Sequence, residues 1–172
     1  QFQQIRRSGL RDPLMRFSVN LYGAPAMNLR EFAEYRQKTN IGFSLVVSAP
    51  LGQYDPNKLI NIGQNRWGFK PEIGLSRAIG RWTIEPYVGA WIFTDNNNFY
   101  GGKHRKQQVI GSGQLHILYT IQRRMWAAFN SNFYVGGRTT VDGIRNFDLQ
   151  RNSRLGVTFS LPATKRSSLK FA

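Results

Sequence analysis

From Trp82 to Phe93 the chain alternates with a period of two. Trp82, Ile84, Pro86, Val88, Ala90 and Ile92 fall on one side, and Thr83, Glu85, Tyr87, Gly89, Trp91 and Phe93 on the other. A period of two places these sets on opposite faces of a strand, one oily and one mixed. At about 3.3 Å per residue the segment reaches roughly 40 Å, longer than the usual strand of about 5–6 residues and enough to cross a bilayer when tilted. The same alternation recurs along the chain. Met15, Phe17, Val19 and Leu21 alternate with Arg16, Ser18, Asn20 and Tyr22, then Ile41, Phe43, Leu45, Val47 and Ala49 with Gly42, Ser44, Val46 and Ser48, then Phe69, Pro71, Ile73 and Leu75 with Lys70, Glu72, Gly74 and Ser76. Val109 to Ile121, Met125 to Val135 and a strand near 149–162 repeat the pattern, giving seven predicted long strands. Residues 2–5 read as the tail of a further strand.

The connections alternate too. Long polar segments at 51–66, 95–106 and 138–148 take turns with tight ones at 80–81, 123–124 and 163–166. Long loops on one side and short turns on the other is the arrangement of outer-membrane barrels, with the short turns in the periplasm. The 23–38 segment is then a longer exception on the short-turn side. It carries a predicted short helix over 28–36, with Asn28 at the N-cap and Glu31 three residues on, the spacing of a capping box. A soluble ligand-binding barrel shares hairpins and alternation but hides its apolar side chains inside. Alternation alone does not say which face points inward; strand length and loop rhythm favour the membrane. The expected fold is all-β, an antiparallel up-and-down transmembrane β-barrel in a single domain over 1–172. Bacterial barrels close with an even number of strands. Seven strands therefore predict a segment of a larger barrel, or an eighth strand from the remaining residues.

Charge is the compositional anomaly, with 24 Lys and Arg against 9 Asp and Glu, a net +15 and a pI near 11.0. Arg77, Arg81, Arg123, Arg124, Lys165, Arg166 and Lys170 gather at the short-turn end, with Arg30, Arg36 and Lys38 in the segment assigned to the same side. Anionic lipid head groups attract such residues by about 1 kcal/mol each; a solvated rim is the plainer alternative. A nucleic-acid surface would need a recognition motif or interleaved stacking aromatics on one basic face, and neither is visible, so no nucleic-acid partner is expected. A second polar set falls on the non-lipid face: Arg16, Asn20, Lys70, Glu72, Glu85, Gln114, His116, Asn130, Asn132 and Arg154. Facing hydrocarbon, each Lys or Arg near the midplane would cost ~2–4 kcal/mol. These residues are therefore expected to line a lumen, either as a polar pore wall or as an ion-paired network that plugs it.

Other chemistry is poorly supported. Ser112, Gln114 and His116 share a face, but four residues of strand separate Ser112 from His116 by roughly 13 Å, beyond the reach of a nucleophile and its base. His104 sits among Lys and Arg, and Asp95-Asn96-Asn97-Asn98 lacks the carboxylates of a calcium loop and suits side-chain-capped turns. Gly101-Gly102 and Gly136-Gly137 do not stand between a strand and a helix, as a phosphate cradle requires. With no cysteine in the chain, disulfides and thiolate metal sites are excluded. No catalytic residue, metal site or cofactor is assigned, and the chain is not expected to be an enzyme. No run approaches the ~20 apolar residues of a membrane helix, and no signal peptide is seen. The mean hydropathy of −0.42 does not oppose a barrel, whose strands leave a weak signal.

Several stretches are distinctive: Ser8-Gly9-Leu10-Arg11-Asp12-Pro13, Ala49-Pro50-Leu51-Gly52-Gln53-Tyr54-Asp55, Asn61-Ile62-Gly63-Gln64-Asn65-Arg66-Trp67, Pro71-Glu72-Ile73-Gly74-Leu75-Ser76, Trp91-Ile92-Phe93-Thr94-Asp95-Asn96 and Asn152-Ser153-Arg154-Leu155-Gly156. In order and over nearly the whole chain, they resemble the outer-membrane transporter family named after the meta-pathway of phenol degradation. Arg11 stands where the family pattern has glycine. The chain also lacks the family's upstream portion and terminal strands. The resemblance implies a β-barrel channel or transporter in the outer membrane of a Gram-negative envelope, in contact with its lipids, with aromatic hydrocarbons as the implied cargo. It supplies no catalytic residues. The leading expectation is a channel for small molecules, aromatic or anionic; the alternative is a structural or binding envelope barrel with a plugged lumen.

Overall fold

A computed structural model describes residues 6–23, 25–35, 38–164 and 167–172. In chain order the elements are β1 (Leu14–Tyr22), α1 (Leu29–Glu34), β2 (Thr39–Ser48), β3 (Gly68–Ile79), β4 (Trp82–Phe93), β5 (Asn96–Phe99), β6 (Lys103–Gln107), β7 (Ile110–Gln122), β8 (Met125–Gly136), β9 (Thr139–Val141), β10 (Ile144–Arg145), β11 (Gln150–Pro162) and β12 (Ser168–Phe171). The main sheet has eight strands in the order β1-β2-β3-β4-β7-β8-β11-β12. Every neighbouring pair is antiparallel. The seven expected strands are present, and Ser168–Phe171 supplies the eighth by pairing with the end of β11.

Two segments expected as loops are partly ordered. Residues 95–106 and 138–148 contain β5, β6, β9 and β10, which form a second sheet in the order β10-β9-β6-β5. The sequence hides them because β5 and β6 are polar apart from Phe99, and neither face needs to be oily where hydrocarbon is absent. Between the sheets Gly136 and Gly137 adopt φ of 117° and 72°. A Cβ on Gly136 would lie 2.2 Å from the Val109 carbonyl oxygen, so the bend requires glycine.

At the opposite end the β3–β4 hairpin closes through Gly80-Arg81, between the paired residues Ile79 and Trp82. Gly80 has φ 61°, placing a left-handed residue first in a two-residue hairpin loop. Arg124, at φ 66°, turns β7 into β8. Its guanidinium donates to the carbonyls of Thr164 (2.7 Å) and Ser167 (2.9 Å), tying two short turns together. Helix α1 is shorter than expected but capped as expected. Asn28 Oδ1 accepts from the Glu31 backbone N–H (2.9 Å), and Glu31 Oε2 accepts from that of Asn28 (3.0 Å). Residues 2–5, Arg36, Lys165 and Arg166 lie outside the described residues.

Burial is inverted relative to a water-soluble protein. The oily face is open, with Val157 66%, Val88 65% and Phe17 60% exposed, while Lys70 and Glu72 on the other face are each 5% exposed. Among the described residues only Val46, Ala49, Ile110 and Ala128 are buried hydrophobics. A soluble barrel of this size would place its large apolar side chains in a dry centre. The open surface of Leu, Ile, Val and Phe is of the kind that acyl chains cover.

Candidate functional site

Cross-strand partners share a face, so the register decides which side chains meet. One row runs Asn20, Gly42, Gly74, Tyr87, Gln114, Asn132, Arg154 across seven strands. One layer toward the long-loop end, Ser18, Ser44, Glu72, Gly89, Ser112 and Tyr134 align; one layer the other way, Glu85, His116 and Asn130 align. Arg16 aligns with Val46 and Lys70. All ten residues expected to line a lumen thus share one face. Glycine makes the middle row possible, because a Cβ on Gly74 would sit 2.2 Å from the Tyr87 ring.

The centre of this face is Glu72. It pairs with the Lys70 ammonium, lies 3.8 Å from Arg16 Nη1 and accepts from Gln114 Nε2 at 2.8 Å. A buried carboxylate held this way is compensated by charge and by hydrogen bonds together. Glu85 is placed differently, accepting from Ser76 Oγ at 2.7 Å. His116 Nδ1 and Asn130 Oδ1 lie 2.8 Å apart, and Asn130 Nδ2 donates to Thr158 Oγ1 at 3.0 Å. Among the described residues Arg154 makes no ion pair. The ion-paired network is therefore local to Glu72 and joins neither Glu85 nor Arg154.

Cavities lie on both sides of the Glu72 cluster. Toward the short turns, a space of about 300 Å³ is bordered by Glu72, Glu85, His116 and Asn130. Toward the long loops, a space of about 320 Å³ is bordered by Arg11, Arg66, Arg154, Trp91, Phe93 and Tyr134. Beyond it a third, of about 400 Å³, is bordered by Tyr54, Phe99 and Arg105, and shares Gln64, Arg66 and Gln150 with the second.

The loop between β2 and β3 is fixed by buried polar groups. The carboxylate of Asp12, 5% exposed, accepts from the backbone N–H of Gly52 (2.9 Å) and of Gln64 (2.7 Å). Asn96, 2% exposed, donates to the Gln64 carbonyl (3.1 Å) and the Tyr54 hydroxyl (3.1 Å) and accepts from Asn65 Nδ2 and the Asn98 backbone N–H (both 3.0 Å). The last of these is a side-chain-capped turn, as expected for the Asn run. Arg66 is thereby held between the two upper cavities. Its guanidinium stacks 4.3 Å from the centre of the Phe93 ring and donates to Gln64 Oε1 (3.1 Å) and to Gln107 Oε1. Burial, then the nearby Arg105, lowers its pKa to about 10, against an opposing pull from Asp12.

Arg66, Arg11, Trp91, Phe93 and Tyr134 were not among the expected lining residues. Trp91, Phe93 and Tyr134 share the parity of the polar set, but aromatic residues at those positions read equally as a mixed strand face. Arg66 lies in an irregular loop whose course periodicity cannot follow.

An antiparallel sheet that opens its apolar face outward and keeps buried charge and cavities on the other is a wall of a transmembrane β-barrel, of the outer-membrane type. The backbone agrees: the crystal structure of an outer membrane channel from Pseudomonas putida superposes with a TM-score of 0.80 at 22% identity, covering 95% of this chain and 58% of that one. The chain thus spans less than two thirds of that channel. More particularly, the chain belongs to the family of the MetA-pathway of phenol degradation, which matches residues 1–172. No curated protein matches it.

Proposed function

We propose that this chain forms part of the wall of an outer-membrane channel that passes small molecules, with Arg16, Asn20, Lys70, Glu72, Glu85, Gln114, His116, Asn130, Asn132 and Arg154 lining its lumen. The observation that carries the reading is that polar groups and cavities share one face of a sheet whose other face is oily and open. The solved channel of the same fold and the family membership support it, and both point away from catalysis. Where the excess of positive charge extends into the lumen, as with Arg11, Arg66 and Arg154 around the upper cavity, anionic solutes are favoured. The test is a planar-bilayer recording of the full-length protein under a salt gradient. Conductance with anion preference supports the reading; absent conductance or clear cation preference overturns it.

The second reading, a non-transporting envelope barrel, draws on the binding of Glu72 by Lys70, Arg16 and Gln114, which is how a plug would be held. A closed bilayer together with a stable fold would favour it.

A further inference from the structure

The space of about 320 Å³ at the long-loop end is unlike the rest of the polar face. Below it Glu72 pairs with Lys70 and Arg16 and Glu85 is hydrogen-bonded, whereas the charged side chains that border it are all arginine. Arg11, Arg66 and Arg154 border it, and Arg105 borders the adjoining space with Arg66. Among the described residues none of these four makes an ion pair. Arg66 is the sharpest case. It is 7% exposed, and its Nη1 is enclosed with no hydrogen-bond partner. A buried guanidinium ordinarily finds a carboxylate or fills its donors. Here the neighbours occupy Nε and Nη2 and leave Nη1 without a hydrogen bond. The Gln107 amide is itself fixed, donating to the Gly137 carbonyl at 2.8 Å, so it presents its oxygen to Arg66 and cannot turn away. The geometry withholds an anion from a cation built to hold one.

The remaining walls are aromatic. Trp91 and Phe93 stack nearly parallel, with ring centres 6.0 Å apart and planes at 5°, and Tyr134 borders the same space. Flat apolar walls beside fixed donors select a flat apolar body carrying a compact anionic group. We propose that this cavity is a binding site for small aromatic carboxylates. Arg66 takes the carboxylate, Trp91 and Tyr134 flank the ring, and Arg11, Arg105 and Arg154 supply the attracting field. The like charge of Arg105 and the burial that lowers the Arg66 pKa are relieved when a carboxylate arrives, which favours occupancy. The site deepens the channel reading, on which its role in passage rests, but binding itself does not require passage.

The test titrates the full-length protein in detergent with benzoate, following tryptophan fluorescence and heat release, with acetate and benzyl alcohol as probes lacking the ring and the charge. Benzoate is expected to bind about 10-fold or more tightly than either. Arg66→Gln should weaken it by about 10-fold or more, the share of one charged hydrogen-bonding group, and Arg154→Gln by about threefold. Arg123→Gln, at a short turn, should bind as the parent does. If Arg66→Gln fails to fold, judged by heat-dependent gel mobility, Arg154→Gln and Trp91→Leu carry the comparison. Acetate or benzyl alcohol binding as tightly as benzoate overturns the proposal, as does benzoate binding that neither Arg66→Gln nor the substitute pair weakens. Bilayer recordings separate this inference from the channel reading. Binding without conductance sinks the channel and leaves the site; conductance that benzoate neither blocks nor accompanies with binding sinks the site and leaves the channel.

Discussion

Replacing Val88 by arginine places a cation on the open face of β4 at its middle. The strand has 12 residues, and at about 3.3 Å each with a tilt near 40° it covers about 30 Å along the membrane normal, against an apolar band of about 25 Å. Val88 is the seventh of these residues, so it meets the midplane, where an arginine costs ~2–4 kcal/mol. Ile84, on the same face four residues toward the short turn, lies about 10 Å lower, near the band's edge, where the cost falls to ~0–1 kcal/mol. Asn132→Arg, on the opposite face, should cost less than about 1 kcal/mol, because a lumen hydrates the charge. The assay is denaturant unfolding of the full-length protein in phosphatidylcholine vesicles, read by tryptophan fluorescence. Val88→Arg should be at least about 1 kcal/mol less stable than Ile84→Arg, about 5-fold in the unfolding constant. The reasoning is refuted if Val88→Arg unfolds within about 0.5 kcal/mol of the parent, or if Asn132→Arg proves the costlier change.

Glu72→Gln leaves the buried Lys70 without its anion and should destabilise the barrel by about 3 kcal/mol, whereas Lys70→Met with Glu72→Leu should recover most of the loss; a double-mutant cycle by denaturant unfolding measures both. Asp12→Asn keeps one acceptor oxygen for two backbone donors, so hydrogen exchange at Gly52 or Gln64 should accelerate by about 10-fold. Asp148 is held below the usual carboxylate pKa: burial pushes it up, but the hydroxyl and backbone N–H of Thr139 outweigh that and pull it down. Because its folded pKa is the lower one, its contribution is present above the ordinary value of 3.8 and is lost as pH falls through the folded value. Backbone exchange at Thr139 should therefore quicken below about pH 4 relative to the intrinsic rate, and Asp148→Asn should remove that step.

The wall was legible because period-two alternation is a property of neighbours in sequence. Val88 and Glu72 could each be assigned a face without knowing any partner strand. The capping box at Asn28 and Glu31 and the turn at Gly80 are local in the same sense. What escaped depends on distant pairing. Lys103–Gln107 carries no oily face, and its pairing with Asn96–Phe99 and Thr139–Val141 makes it a strand. Arg66 faces the upper cavity because Asp12, Asn96 and Gln107 fix the path of its loop, over separations of up to 52 residues. The unpaired character of Arg154 was equally invisible, since the Glu72 cluster could have reached it and instead closes on Lys70, Arg16 and Gln114.

The scarcity of buried hydrocarbon side chains has an evolutionary corollary. A dry core constrains each residue by the shape of its neighbours, so substitutions must be compensated. Here the neighbours of Phe17, Val88 and Val157 are fluid molecules that flow around whatever outline they meet. One greasy residue can replace another there with little consequence, while the Glu72 cluster tolerates only paired changes and the glycines of the bend almost none. Divergence within such a lineage should therefore accumulate on the exterior, leaving the path of the backbone and the interior chemistry behind.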